Sequence, residues 1–369
     1  MARNIKTINL ALQGGGAHGA FAWGVLDRLL EDGRLALEGI CATSAGTMNA
    51  CALAYGMHLG GPEKARETLH DFWHAIHRAG RRFGPVRRLP WETGNGWNGD
   101  ASLSYFWFDT ATRLFSPYQF NPFDFNPLRD VLAETIDFEE LRRCDCVKLF
   151  ISATNVRSGK VRVFDAPQMS LDVALASACL PFLFKAVEID GEHYWDGGYM
   201  GNPALFPLFY ETGSRDIVVV HINPIERPDV PTTAPQIMNR INEISFNSSL
   251  LSELRAIAFV KKLVEHDLLK DEHKQHFKDV LVHSVRAEGA MCGLSVASKF
   301  DTDWDFLTGL RDQGRAVMGD WLERHFDDVG QRDTVDMHAE FLHTVSRFFG
   351  EAGVEDAPAD DLPRRRQAP

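Results

Sequence analysis

The sequence predicts an α/β protein, a three-layer α/β/α sandwich around a mainly parallel central sheet, followed by a mostly helical C-terminal extension. Three observations carry this. Two apolar runs of strand character, over residues 8–12 and 37–43, each give way at once to a helix-forming segment. Successive strand–helix units favour parallel pairing, because the helix returns the chain across the sheet. A third run, Ile217-Val218-Val219-Val220-His221-Ile222, is almost continuously apolar, as a strand covered on both faces must be.

Each element has its reason. Met1-Ala2-Arg3-Asn4-Ile5-Lys6 leads straight into the first strand, so no signal peptide is expected. Phe21, Val25, Leu29 and Leu30 recur at helical spacing, and Asp32-Gly33 closes that helix. The second strand passes into a helix of small residues over 45–55, able to lie close on the sheet. Pro62 opens another helix, through Ala65, Leu69, Phe72, Trp73 and Ile76. A helix is expected over 128–134 and a core strand over 148–155, turning at Ser158-Gly159 to pair with 161–164. A short helix over 171–177 precedes Pro181. Val187-Glu188-Ile189 and His193-Tyr194-Trp195 flank Asp190-Gly191-Glu192, a hairpin signal that leaves Asp196 at a strand end.

Residues 224–235 are proline-rich and read as a connection. Beyond them a long helix is expected with Ile237, Ile241, Ile244, Leu251, Leu254 and Ala258 on one face. A strand over 279–285 and a helix over 304–326 follow. Residues 351–369, with Arg364-Arg365-Arg366, have the composition of a disordered tail. The expected units are 5–224, 225–327 and 351–369.

With 369 residues, 44% of them apolar, the chain can bury a large core as one domain or two. A formal charge of −12 argues against nucleic acid as the main partner. No run of about 20 apolar residues offers a membrane span. Six cysteines (41, 51, 144, 146, 179 and 292) form no disulfide framework, and Cys144-Asp145-Cys146 is too short for CxxC chemistry. Reduced thiols in the cytoplasm are expected, with peripheral contact at the inner membrane face left open. No spacing suggests a metal site, and no cofactor is expected.

The segment over 78–125 differs from the rest. Arg78, Arg81, Arg82, Arg87 and Arg88 open it, and 12 aromatics crowd between Phe83 and Phe125. The bland reading is an insertion packed on its own rings. The alternative is a basic, aromatic-rich flap suited to the interface between water and lipid headgroups, with Trp91, Trp97 and Trp107 as its inserting rings.

Three stretches carry chemistry. In Gln13-Gly14-Gly15-Gly16-Ala17-His18-Gly19, consecutive glycines let backbone N–H groups converge near a helix N-terminus, where an oxyanion is stabilised. In Ile40-Cys41-Ala42-Thr43-Ser44-Ala45-Gly46, Ser44 has small residues two positions away on each side, as a strand–nucleophile–helix elbow requires. Tyr194-Trp195-Asp196-Gly197-Gly198 places a carboxylate in a tight turn. Together they suggest a serine acyl hydrolase.

The order of these blocks, with Ala176-Ser177-Ala178-Cys179-Leu180-Pro181 between the last two, resembles the patatin-like phospholipases over roughly residues 5–209. The resemblance implies a lipid acyl hydrolase of phospholipase A or lysophospholipase type with a Ser44–Asp196 dyad. It implies oxyanion donors among Gly14, Gly15, Gly16 and Ala17, and a lipid or acyl-ester substrate. The C-terminal third resembles a helical extension attached to some bacterial members. Two positions depart from the family pattern. Ala42 replaces the usual first glycine of GxSxG, and His18 stands where Arg or Lys is usual.

The same residues admit other readings. Asp196 could merely cap its turn, and a free Asp, with a pKa of about 3.9, is a feeble base unless shielded. His18, His193 and His221 are the histidines a triad would draw on. Gly14, Gly16 and Gly19 also match GxGxxG, but Glu31 and Asp32 precede the second strand instead of ending it as a dinucleotide site requires. A lipid-binding protein that keeps the fold without catalysis is the remaining class.

Overall fold

In a computed structural model that describes residues 5–84, 112, 114–266 and 278–342, β1 (Lys6–Leu12) leads through a 3-10 turn, Gly16–His18, into α1 (Gly19–Asp32). β2 (Leu35–Ala42) leads into α2 (Ala45–Phe83). α1 ends at Gly33, whose φ of 67° lets its N–H reach back to Leu29 O at 3.2 Å. α2 breaks its helical geometry at Gly60 and Gly61 and resumes at Pro62. α3 (Pro117–Phe120), α4 (Pro127–Thr135) and α5 (Phe138–Leu141) precede β3 (Lys148–Asn155) and β4 (Val161–Asp165). α6 (Leu171–Ser177), β5 (Val187–Ile189), β6 (Glu192–Asp196), α7 (Phe206–Tyr210) and β7 (Asp216–Val220) follow. The remainder is α8 (Ala234–Glu265), β8 (Leu281–Val285), α9 (Glu288–Met291), α10 (Trp304–His325) and α11 (Met337–Phe341).

The sheet runs β5-β6-β3-β2-β1-β7-β8, with β4 also on β3. β3, β2, β1, β7 and β8 are parallel; β4, β5 and β6 pair antiparallel. Side chains alternate between two cores. Leu10, Leu12, Ile40, Ala42, Val218 and Val220 pack with residues of α1, α2 and α10. Ala11, Cys41, Ile217 and Val219 face Leu208 of α7 and Leu250, Leu254 and Ile257 of α8. Covering both faces gives the three layers expected.

The chain beyond residue 224 is built into this arrangement. β8 extends the sheet beside β7. α10 crosses α1 so closely that a Cβ on Gly24 would stand 1.9 Å from Arg311 O, and one on Gly314 2.1 Å from Phe21 O. Arg315 pairs there with Asp27 and Glu31.

Two expectations are corrected. Of the face expected on α8, Leu254 and Ala258 are buried, but Ile237, Ile241 and Ile244 are exposed, and in that first half Glu243, Phe246 and Asn247 turn inward instead. The first half of that helix lies over polar loops instead of an oily core. Cys144 and Cys146 form a disulfide, their Cα atoms 5.6 Å apart across the turn after α5, within the reach of such a bond. Cys41, Cys51, Cys179 and Cys292 are free. Arg87, Arg88, Trp91, Trp97 and Trp107 of the flap expectation, and the tail over 351–369, lie outside the described residues. Among the described residues no helix is long and apolar enough to cross a membrane.

The pairing along β3 brings the end of β2 to the end of β6. β4 overlaps both β2 and β6 along β3, so those two strands must share the other edge of β3. β2 runs up that edge to Ala42, opposite Ile151, and β6 runs down it to Asp196, opposite Ala153. The two strands meet head to head. The residues leaving β2, Thr43 and Ser44, therefore arrive at the end of β6.

Candidate active site

Ser44 occupies the junction of β2 and α2 at φ 54° and ψ −123°, a conformation that a side-chain-bearing residue holds only under constraint. The constraints are visible. The Ser44 N–H donates to Ser177 Oγ at 3.0 Å, and Ser177 Oγ also bonds Thr47 Oγ1 at 2.8 Å. Thr43 Oγ1 donates to Gly201 O at 2.6 Å. Gly46 must be small, because a Cβ there would lie 2.3 Å from Leu12 O. Ala42 is fully buried between Leu12 and Ile151, and its methyl is accommodated in the core.

Asp196 is fully buried, and its two oxygens are used differently. Oδ1 accepts the Gly198 N–H at 2.7 Å, capping the 3-10 turn Gly197–Tyr199. Oδ2 has no hydrogen-bond partner among the described residues. Burial lifts the carboxyl from its usual 3.8 to about 6, opposed by the Gly198 N–H, the Ser44 hydroxyl and the charge of Lys299. The Ser44 hydroxyl thus stands near enough to favour the carboxylate, without completing a hydrogen bond to Oδ2. The turn is forced to be glycine: a Cβ on Gly197 would meet Ser152 O at 2.2 Å, and one on Gly198 would meet Phe246 Cε1 at 2.5 Å.

The glycine loop lies against the same point. A Cβ on Gly14 would come within 2.6 Å of Ser44 Cβ. Gly14 itself is tied at both ends, its N–H donating to Asn202 Oδ1 at 2.7 Å and its carbonyl accepting from Asn223 Nδ2 at 2.9 Å. Of the four expected oxyanion donors, the Gly14 N–H is therefore the one engaged by a side chain. The N–H groups of Gly15 and Gly16 have no acceptor among the described residues. Ala17 is the second residue of the 3-10 turn, where internal bonding has not begun. Gly16 sits at φ 60°, with its Cα pressed toward Lys299 O.

The histidines stand apart. His18 is buried, bonds Ser298 Oγ through Nε2 at 2.8 Å, and meets the edge of Phe306. Burial and the nearby Lys299 charge push it down to about 3, so its imidazole is neutral. His221 is pushed down to about 3 by burial, and its Nδ1 is unpartnered among the described residues. His193 faces Glu188 at 3.8 Å. None of the three hydrogen-bonds Ser44 or Asp196 among the described residues.

A polar frame that no sequence motif marks stands behind the loop. Gln13 Oε1 accepts from the N–H groups of Ile222 (2.8 Å) and Asn223 (3.1 Å), and Gln13 Nε2 donates to Asn247 Oδ1 at 3.0 Å. Asn202 Nδ2 donates to Phe246 O at 3.1 Å. Lys299 Nζ donates to Asn223 Oδ1 at 3.0 Å and to Asn242 Oδ1 at 2.7 Å. Of the polar residues that hold the elbow and the loop, Ser177 lies within the Ala176–Pro181 motif of the sequence. Among the described residues no group of three or more His, Cys, Asp or Glu is placed to hold a metal.

Comparison with known proteins gives the family of the chain. The family model described as patatin-like phospholipase matches residues 10–209, which includes the glycine loop, Ser44 and Asp196. No curated protein matches the chain. Among solved structures, VipD from Legionella pneumophila is 15% identical, with a TM-score of 0.40, covering 86% of this chain and 67% of that one. The type III effector ExoU is 16% identical, with a TM-score of 0.32 and 86% of this chain covered. The chain spans 53% of ExoU, about half its length.

Proposed function

We propose that the chain, which belongs to the patatin-like phospholipase family, hydrolyses lipid acyl esters with Ser44 as nucleophile and Asp196 as general base. Ser44 Oγ attacks the ester carbonyl while its proton passes to Asp196 Oδ2. The N–H groups of Gly15, Gly16 and Ala17 receive the oxyanion of the tetrahedral species. Its collapse breaks the ester C–O bond, and the leaving alcohol takes the proton from Asp196. Water then attacks the acyl-Ser44 carbonyl, giving a proton to Asp196. The second collapse frees the fatty acid and returns the proton to Ser44 Oγ.

One observation supports this most: a fully buried carboxylate oxygen without a hydrogen-bond partner among the described residues, at the end of the strand that meets Ser44 head on. A merely structural Asp would satisfy both oxygens, because an unsatisfied buried acceptor costs about 1–3 kcal/mol, and more if charged. Raised to about 6, the carboxylate is a better base than a free Asp and is still mostly ionised at neutral pH. Phospholipids and lysophospholipids are the proposed substrates, met by peripheral contact with a lipid surface.

The test is a panel of phospholipid, lysophospholipid, neutral glyceride, thioester and polyester substrates, run on the wild type beside Ser44→Ala. Fatty acid release from a phospholipid or lysophospholipid that disappears in Ser44→Ala is expected. Lipid binding without release would instead mark a non-catalytic lipid-binding protein.

A further inference from the structure

We propose that Lys299 is a positioning residue for this reaction: it fixes the glycine loop through Asn223, and its ammonium supplies the positive charge that the loop itself lacks. The proposal rests on the reading of Ser44 and Asp196 given above. Lys299 lies in the 3-10 turn Ala297–Phe300, about 90 residues beyond the segment matched by the family model.

The geometry has three parts. First, the backbone of Lys299 forms a wall of the loop, since a Cβ on Gly16 would meet Lys299 O at 2.5 Å. Second, Nζ holds Asn223 Oδ1, and the other end of that amide holds the Gly14 carbonyl at 2.9 Å. One side chain thereby links the ammonium to the residue packed against Ser44 Cβ. Third, Nζ lies 5.4 Å from the centre of the Phe246 ring, whose edge fills the space over Gly198 in the turn that Asp196 caps.

The charge is also left uncancelled. Lys299 is half-buried, and cations drawn out of water are ordinarily matched by a carboxylate. Lys299 bonds two neutral amide oxygens and an aromatic face, and among the described residues it forms no ion pair. Glu243 is the nearby acid on α8, but it is already held by Arg227 at 2.5–3.2 Å and by Arg240 at 3.2 Å. An ammonium has three N–H donors, so one remains after both asparagines are served. The groups that sense it are Glu243 from α8, Asp196 from β6 and His18 from the loop. His18 is neutral, so the loop has no cation of its own.

The experiment is the pH profile of kcat/KM on a soluble short-chain p-nitrophenyl ester, with the Ser44→Ala rate subtracted and thermal melting to confirm folding. The wild type should rise through about pH 6 as Asp196 ionises, and fall near about pH 8 as Lys299, lowered by burial, gives up its proton. Lys299→Met should move the acid limb upward, abolish the alkaline limb and cost about 10²-fold in kcat/KM through the displaced loop. Lys299→Arg keeps its charge at every accessible pH, so its acid limb should stay while its alkaline limb moves well above 8. That shift decides the matter even if the methionine variant fails to fold. Limbs of a folded Lys299 variant at their wild-type positions, with wild-type turnover, overturn the proposal alone. Absence of any Ser44-dependent rate in the wild type overturns the reading of the site and the proposal with it.

Discussion

Replacing Asp196 by Asn should remove activity and stabilise the protein above neutrality, a pairing that a purely structural aspartate would not show. Folded, the carboxyl holds its proton up to about pH 6; unfolded, it releases it near 3.8. Its contribution to stability is therefore fully present below the unfolded value and lost as pH rises through 6. At 1.36 kcal/mol per pH unit, that loss is as much as about 3 kcal/mol. An Asn side chain can still accept the Gly198 N–H through its carbonyl oxygen, and it buries no charge. The assay is urea unfolding of wild type and Asp196→Asn at about pH 4, about pH 6 and about pH 8. The variant's advantage should be small at the first, most of its full size at the second and largest at the third, while ester turnover falls by about 10²–10⁴ for want of a base. An Asn variant that is destabilised equally at all three pH values, or that keeps near-wild-type turnover, would refute the assignment. Aspartate would then be a turn cap and nothing more.

Three further outcomes are expected. Gly15→Val and Gly16→Val should each lower kcat by about 10²–10³ with little change in KM, because the added Cβ would press on Ile222 Cγ2 or Lys299 O and displace oxyanion donors; steady-state kinetics on a soluble ester checks this. Ser177→Ala should destabilise the fold by about 1–3 kcal/mol, measured by urea unfolding, since it orphans the Ser44 N–H, and should lower turnover by loosening the elbow. Binding to anionic vesicles, measured by co-sedimentation, should weaken as salt rises and weaken again when Arg81, Arg82, Arg87 and Arg88 are neutralised; salt-insensitive or absent binding would remove the flap.

The parts of this molecule that local chemistry dictates were legible in the sequence. Glycines at 14–16, small residues around Ser44 and the hairpin signal before Asp196 each fix a backbone shape within a few residues. The parts made by long-range contacts were not. Ser177 meets Ser44 across 133 positions, and Asn202 meets Gly14 across 188, through ordinary polar side chains with no distinctive spacing. The helix around residue 250 was foreseen, yet the isoleucines misidentified its buried side. Periodicity assumes that inward means oily, whereas Glu243 and Asn247 turn inward to pair with Arg227 and Gln13. The C-terminal third likewise has no motif that marks chemistry, although it carries Asn242, Phe246 and Lys299. The Cys144–Cys146 bond depends on a turn that the CxC spacing does not announce.

The central claim is that Ser44 is a nucleophile activated by Asp196, and covalent labelling tests it most directly. The protein is treated with a fluorophosphonate, digested, and the modified peptide located by mass spectrometry. A single adduct on Ser44, formed far more slowly in Asp196→Asn and absent in Ser44→Ala, is the predicted result. An adduct on another serine, no adduct at all, or an equal labelling rate in Asp196→Asn would contradict it.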